Sequence, residues 1–182
     1  PDHPFAEHAV GTQGVSLCHL DDYRELYRDL PLDQITLSHS LQPAFALAGL
    51  YCVARGRGVS PASLRGSVLQ VPFYCEDTGY AIQMPFDLRL RLAVDSIAFC
   101  SEEMPRFHSF LEDTYYISDG GLNSVEEMAL GFVEIREIVR TLIDRGIDVD
   151  SFAPRIAILV NCRMDLFEEV AKIRATRRIF AR

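Results

Sequence analysis

The chain has 182 residues, of which 48% are hydrophobic and 24% charged, and its net charge is -8. That length suffices for one domain with a sizeable core. The negative charge argues against a nucleic-acid surface, and no apolar run approaches the roughly 20 residues that cross a bilayer.

The five cysteines (Cys18, Cys52, Cys75, Cys100, Cys162) form no CxxC pair. This spacing fits neither a disulfide framework nor a zinc site, and predicts free thiols in a reducing, cytoplasmic setting. Residues 1–13 are polar and irregular, without a signal-peptide layout. Residues 14–18 form a strand candidate, and residues 20–30 a helix that stops before Pro31, with Asp21 or Asp22 serving its first turn. A strand follows at 34–40. The helix predicted over 43–55 is nearly all apolar, which implies burial, and Gly56 and Gly58 stop it. A third strand spans 67–71, and residues 72–85 read as an extended loop. The helix at 87–103 carries Leu88, Leu92, Ala93, Ile97 and Cys100 on one side.

A strand near 109–116 is interrupted by Glu112 and Asp113. Ser124 and Glu127 have the spacing of a capping box, which opens a helix to 145. The β-branched run at 156–160 suits a strand covered on both faces. The last helix begins near Met164. Its expected core stripe is Phe167, Val170, Ala171 and the aliphatic stem of Arg174. Glu168 and Lys172 are spaced for an ion pair, and Arg174, Arg177 and Arg178 suit the negative end of the helix dipole. Five alternating strand–helix units predict an α/β fold with a parallel sheet.

Several segments carry a resemblance. FAPR at 152–155 and FEEVAKIRATRRIFAR at 167–182 resemble the substrate-binding barrel of the adenosylcobalamin-dependent acyl-CoA mutases, the methylmalonyl-CoA mutase family. DHP at 2–4, VGTQGVSL at 10–17, PLDQITLS at 31–38, RGSVLQ at 65–70 and EEMPRF at 102–107 resemble the same barrel in the same order. The resemblance implies one partial (β/α)8 TIM-barrel domain over 1–182, spanning the family's second to sixth strands. It also implies an adenosylcobalamin cofactor bound mainly by another domain or chain, because no Asp-x-His-x-x-Gly motif is present. Five parallel strands cannot close such a barrel, so a protein partner or a second copy is expected to cover two open edges.

Site residues follow from the same resemblance. Gln70 matches a glutamine that lies against the acyl group; the plainer reading is an amide satisfied by its neighbours. Tyr80, or Gly79, stands where the family has an arginine for a second substrate carboxylate. Neither can pair bidentately with one, so the expected substrate is an acyl-CoA without it. Tyr115 matches the family, and Tyr116 replaces a histidine that donates to the thioester carbonyl. A tyrosine can donate there, or simply fill the pocket. Arg155 matches an arginine that contacts coenzyme A. Ser38, His39 and Ser40 replace Ser-Met-Thr, and His39 is a candidate acid or base, or else a histidine held by hydrogen bonds. Glu112, Asp113 and Asp119 form an acidic cluster, read as a solvated rim or a metal site. Three functions are open: an isomerase of this family, inactive as this chain alone; a degenerate thioester binder or assembly subunit; or a different reaction using Tyr116, Tyr80 or His39.

Overall fold

The computed structural model describes residues 3–12, 14–40, 43–70, 72–73 and 84–182. Four strands, β1 (Thr36–His39), β2 (Arg65–Leu69), β3 (Phe107–Asp113) and β4 (Ile156–Leu159), form one parallel sheet in the order β1-β2-β3-β4. Helices α1 (Leu20–Leu26), α2 (Pro43–Gly56), α3 (Phe86–Glu103), α4 (Thr114–Asp119), α5 (Ser124–Asp144), α6 (Val149–Phe152) and α7 (Leu166–Phe180) precede, link and follow them. Among the described residues the sheet therefore has four strands, not five: residues 14–18 carry no strand pairing. Gly14 and Val15 are exposed there, and two of the next three residues are only partly buried, so this stretch lacks the covered face that would fix it as a strand.

Among the described residues, the strand registers place the side chains packed by α1, α2, α3 and α5 on one face. Leu37, Val68 and Phe107 pack with α1 and α2, and Phe110, Ile156 and Ile158 with α3 and α5. Register places all six on the same side of the sheet. A doubly wound sheet would have helices on both sides, whereas a one-sided layer is the wall of an opened β/α barrel. The opposite face carries Ser38, Ser67, Leu69, Leu111, Ala157 and Leu159.

Two glycines set the layer spacing. A Cβ on Gly49 of α2 would collide with the Tyr23 ring of α1, and one on Gly131 of α5 would sit 2.5 Å from Thr114 Cγ2. Between Ser67 and Leu69 of β2 the register on β3 advances three residues instead of two, a β-bulge. The bulge buries both Ser109 and Phe110, and the carboxamide of Gln70 donates to the Ser109 carbonyl at 2.5 Å.

Four local expectations are corrected. The N-cap of α5 is Asn123, which forms a capping box with Glu126, one residue before the predicted pair. Its carboxamide accepts the Val125 and Glu126 amides, which frees Ser124 to donate to Glu168 at 2.6 Å. Strand β3 ends at Asp113, because this carboxylate caps a new helix, α4, and accepts the amides of Tyr115 and Tyr116. Helix α7 is inverted relative to its expected stripe: it buries Glu169, Lys172 and Thr176, while Phe167 is 86% exposed. The Lys172 ammonium consequently pairs with Glu169 and Glu127 and not with Glu168. The acidic cluster is no solvated rim either: Glu112 and Asp113 are fully buried and only Asp119 is exposed.

Candidate functional site

A cavity of about 400 Å³ opens at the C-terminal ends of the strands, on the face without helices. Ser38, His39 and Ser40 line it from β1 and its end, Ser67 and Leu69 from β2, Leu111 and Asp113 from β3, and Leu159 from β4. Tyr115 and Tyr116 of α4 complete the lining. Register places Ser38 beside Ser67, and their hydroxyl oxygens are 3.5 Å apart. The Asp113 carboxylate fixes the first turn of α4, which sets the two tyrosines edge to face with ring centroids 5.5 Å apart. Tyr115 is 39% exposed at the mouth.

Five of the sequence-predicted site residues thus come together: Ser38, His39, Ser40, Tyr115 and Tyr116. The His39 ring is committed elsewhere, because its Nε2 lies 2.5 Å from the buried Tyr27 hydroxyl and the ring packs near Phe107. Burial lowers the His39 pKa, against an opposing backbone contact from Ser67. Burial pushes the Tyr27 hydroxyl well above its ordinary value. Both shifts favour the neutral forms, and the two groups share one hydrogen bond. Gln70 is buried one residue past β2 and does not line the cavity, its amide donating to the bulge carbonyl. Arg155 stands at the opposite end of the sheet, at the N-terminal foot of β4, where its backbone carbonyl lies 3.1 Å from His108 Nδ1. Tyr80 lies outside the described residues.

Ser67 and the capping carboxylate of Asp113 join the site without having been among its expected residues. The signal for Ser67 was its place on the same face as Ser38 once β1 and β2 pair. For Asp113 it was an acid directly before a Thr-Tyr-Tyr run, the pattern of a helix cap. No group of three or more metal-ligating side chains suited to a metal occurs among the described residues. Among the described residues no helix is long and apolar enough to cross a membrane.

The methylmalonyl-CoA mutase family profile matches residues 1–182. The chain belongs to the methylmalonyl-CoA mutase family. It is 30% identical to the methylmalonyl-CoA mutase of Escherichia coli over 99% of this chain and 26% of that protein. It is 33% identical to the methylmalonyl-CoA mutase large subunit of Streptomyces virginiae, over 100% of this chain and 25% of the relative. Identity to the 2-hydroxyisobutanoyl-CoA mutase large subunit of Aquincola tertiaricarbonis is 32%, over 100% of this chain and 33% of the relative. The chain thus spans a quarter to a third of the length of these mutase-family relatives.

Beneath the cavity, Glu112 points away from it into the helix layer, with its Cγ 3.7 Å from the position a Cβ on Gly131 would take. Burial raises its pKa well above the ordinary value, and the Glu134 carboxylate and the Asp113 charge push the same way. The native state therefore prefers Glu112 protonated, and this contribution to stability is lost as pH rises through the raised native pKa. Wild-type melting temperature is expected to fall as pH rises above the ordinary carboxylate range, and Glu112→Gln to flatten that fall. Parallel wild-type and variant profiles in a thermal melt series would refute the assignment.

Proposed function

We propose that this chain forms the substrate-binding wall of an acyl-CoA mutase, with the acyl group of the thioester in the cavity at the strand ends. One observation carries the reading. The described cavity lining offers serine and tyrosine hydroxyls, a single carboxylate and no arginine or lysine. A second carboxylate on the acyl group would face a lining whose charged side chain is itself a carboxylate, so the acyl group is one without it. Tyr116 is the group that would donate to the thioester carbonyl. As a hydroxyl donor it would orient and polarise that oxygen. His39 braces the wall from behind through Tyr27.

Arg155 would meet the anionic part of coenzyme A at the far end of the sheet. The thioester would then run along the open face past Ala157, roughly 13 Å for the four residues of β4, a distance that a pantetheine arm covers. Adenosylcobalamin, when bound, supplies the radical that starts a carbon-skeleton isomerisation. A corrin ring is larger than the cavity, so on this chain it would meet only the mouth, above Tyr115, with its binding groups provided by another domain or chain. The sheet edges β1 and β4 are where a protein partner or second copy would add its strands. We place this assembly in the cytoplasm. A thioester-binding subunit without turnover is the second reading, favoured by the internal hydrogen bonds that occupy His39 and Gln70.

Equilibrium binding tests the proposal. Butanoyl-CoA is expected to bind at least about tenfold more tightly than malonyl-CoA, and Arg155→Ala to weaken both by about tenfold, since charge-assisted contacts of this kind contribute about 1.5–3 kcal/mol. Equal affinity for the two thioesters, or none for either, would overturn it.

A further inference from the structure

The segment with the longest resemblance to the family, FEEVAKIRATRRIFAR, places no side chain in the cavity. Its Glu169 and Lys172 are turned inward instead, and Lys172 is 2% exposed. The Lys172 ammonium donates to Glu169 at 2.8 Å, to Glu127 of α5 at 3.1 Å and to the Asn161 carbonyl at 2.5 Å. These three partners use its three protons. Burial alone would lower the Lys172 pKa, but the hydrogen bonds to the two carboxylates outweigh it and hold the ammonium above its ordinary value.

The other Glu127 oxygen lies 2.9 Å from the Thr114 hydroxyl and accepts the Asn161 amide at 3.2 Å. Thr114 is the first residue of α4, directly before the two cavity tyrosines. At the opposite end of α4, Ser118 Oγ meets the Asn161 carboxamide at 3.0 Å and the Arg163 guanidinium at 2.6 Å. A six-residue helix is far too short to be stable by itself. Its two ends are held by groups that converge on Lys172.

We propose that Lys172 and Glu127 are positioning residues that hold α4, and with it Tyr115 and Tyr116, at the cavity. A buried ion pair is a poor source of net stability, because well-packed apolar residues serve as well. What apolar residues cannot supply is a directed tie to the Thr114 hydroxyl and to the Asn161 backbone. Only the ligand-binding consequence rests on the acyl-CoA reading; the placement of α4 does not.

The test replaces the cluster with apolar side chains, Glu127→Leu/Glu169→Leu/Lys172→Met, and follows hydrogen exchange by mass spectrometry. Amides of α4 are expected to exchange at least about tenfold faster while those of α3 are unchanged, the signature of local opening. A merely structural role would shift both helices by one common factor, or neither, and either result overturns the proposal. Should the triple variant fail to fold, Thr114→Val, which removes the α4 hydroxyl that reaches both Glu127 and the Leu159 carbonyl, is judged by the same criterion. Butanoyl-CoA affinity is expected to fall about tenfold in the same variants. If the wild type binds no acyl-CoA, the substrate reading fails and the exchange comparison still decides the placement.

Discussion

Lys172→Met alone is expected to destabilise the protein by about 3–5 kcal/mol, the cost of leaving buried carboxylates without their cation. Glu127 is fully buried and Glu169 nearly so. At this chain length the loss corresponds to a fall of about 10 °C in melting temperature. Adding Glu127→Leu and Glu169→Leu removes the stranded charges and is expected to recover most of it. Urea titration measures both. A single-variant loss below about 1 kcal/mol would show that water reaches the pair, as at a surface salt bridge.

Gly66→Ala is the second large effect. Gly66 lies in β2 between Leu37 of β1 and Phe107 of β3. A Cβ there would collide with the Leu37 carbonyl oxygen and lie 2.7 Å from Phe107 Cε2. One obstacle is backbone and the other a fully buried ring, so neither yields cheaply. A cost of about 3 kcal/mol is expected, at the upper end for overpacking, because the two strands must separate. Separation would also displace Ser38 and His39 from the cavity wall, so thioester affinity is expected to drop with stability. A variant as stable as wild type in the same titration would mean that the sheet absorbs the methyl group.

Much of this fold was legible in the sequence because periodicity reports burial. The apolar run in α2 and the cap region of α5 produced elements close to their expected positions, and the strand expected at 67–71 lies two residues earlier, at Arg65–Leu69. The 14–18 stretch failed because a strand needs a neighbour, and pairing is not a local property. Helix α7 misled for a related reason. Apolar spacing marks its outward flank, while Glu169 and Lys172 face inward toward charges supplied by α5, far away in the chain. The cavity was half legible: Tyr115 and Tyr116 were found by resemblance, but their placement depends on Asp113 acting as a cap. His39 and Gln70 were recognisable as polar residues near strand ends. Which partner satisfies each one depended on a tyrosine twelve residues away and on a bulge in the next strand.

The sheet adds its strands in the order in which they are synthesised. Each strand can dock on the one made just before it, so assembly can track the emerging chain from the ribosome, with one live edge at a time. Helix α7, made after the last of these strands, then acts as a latch: its ammonium draws α5 and the end of β4 together only once everything before it is in place.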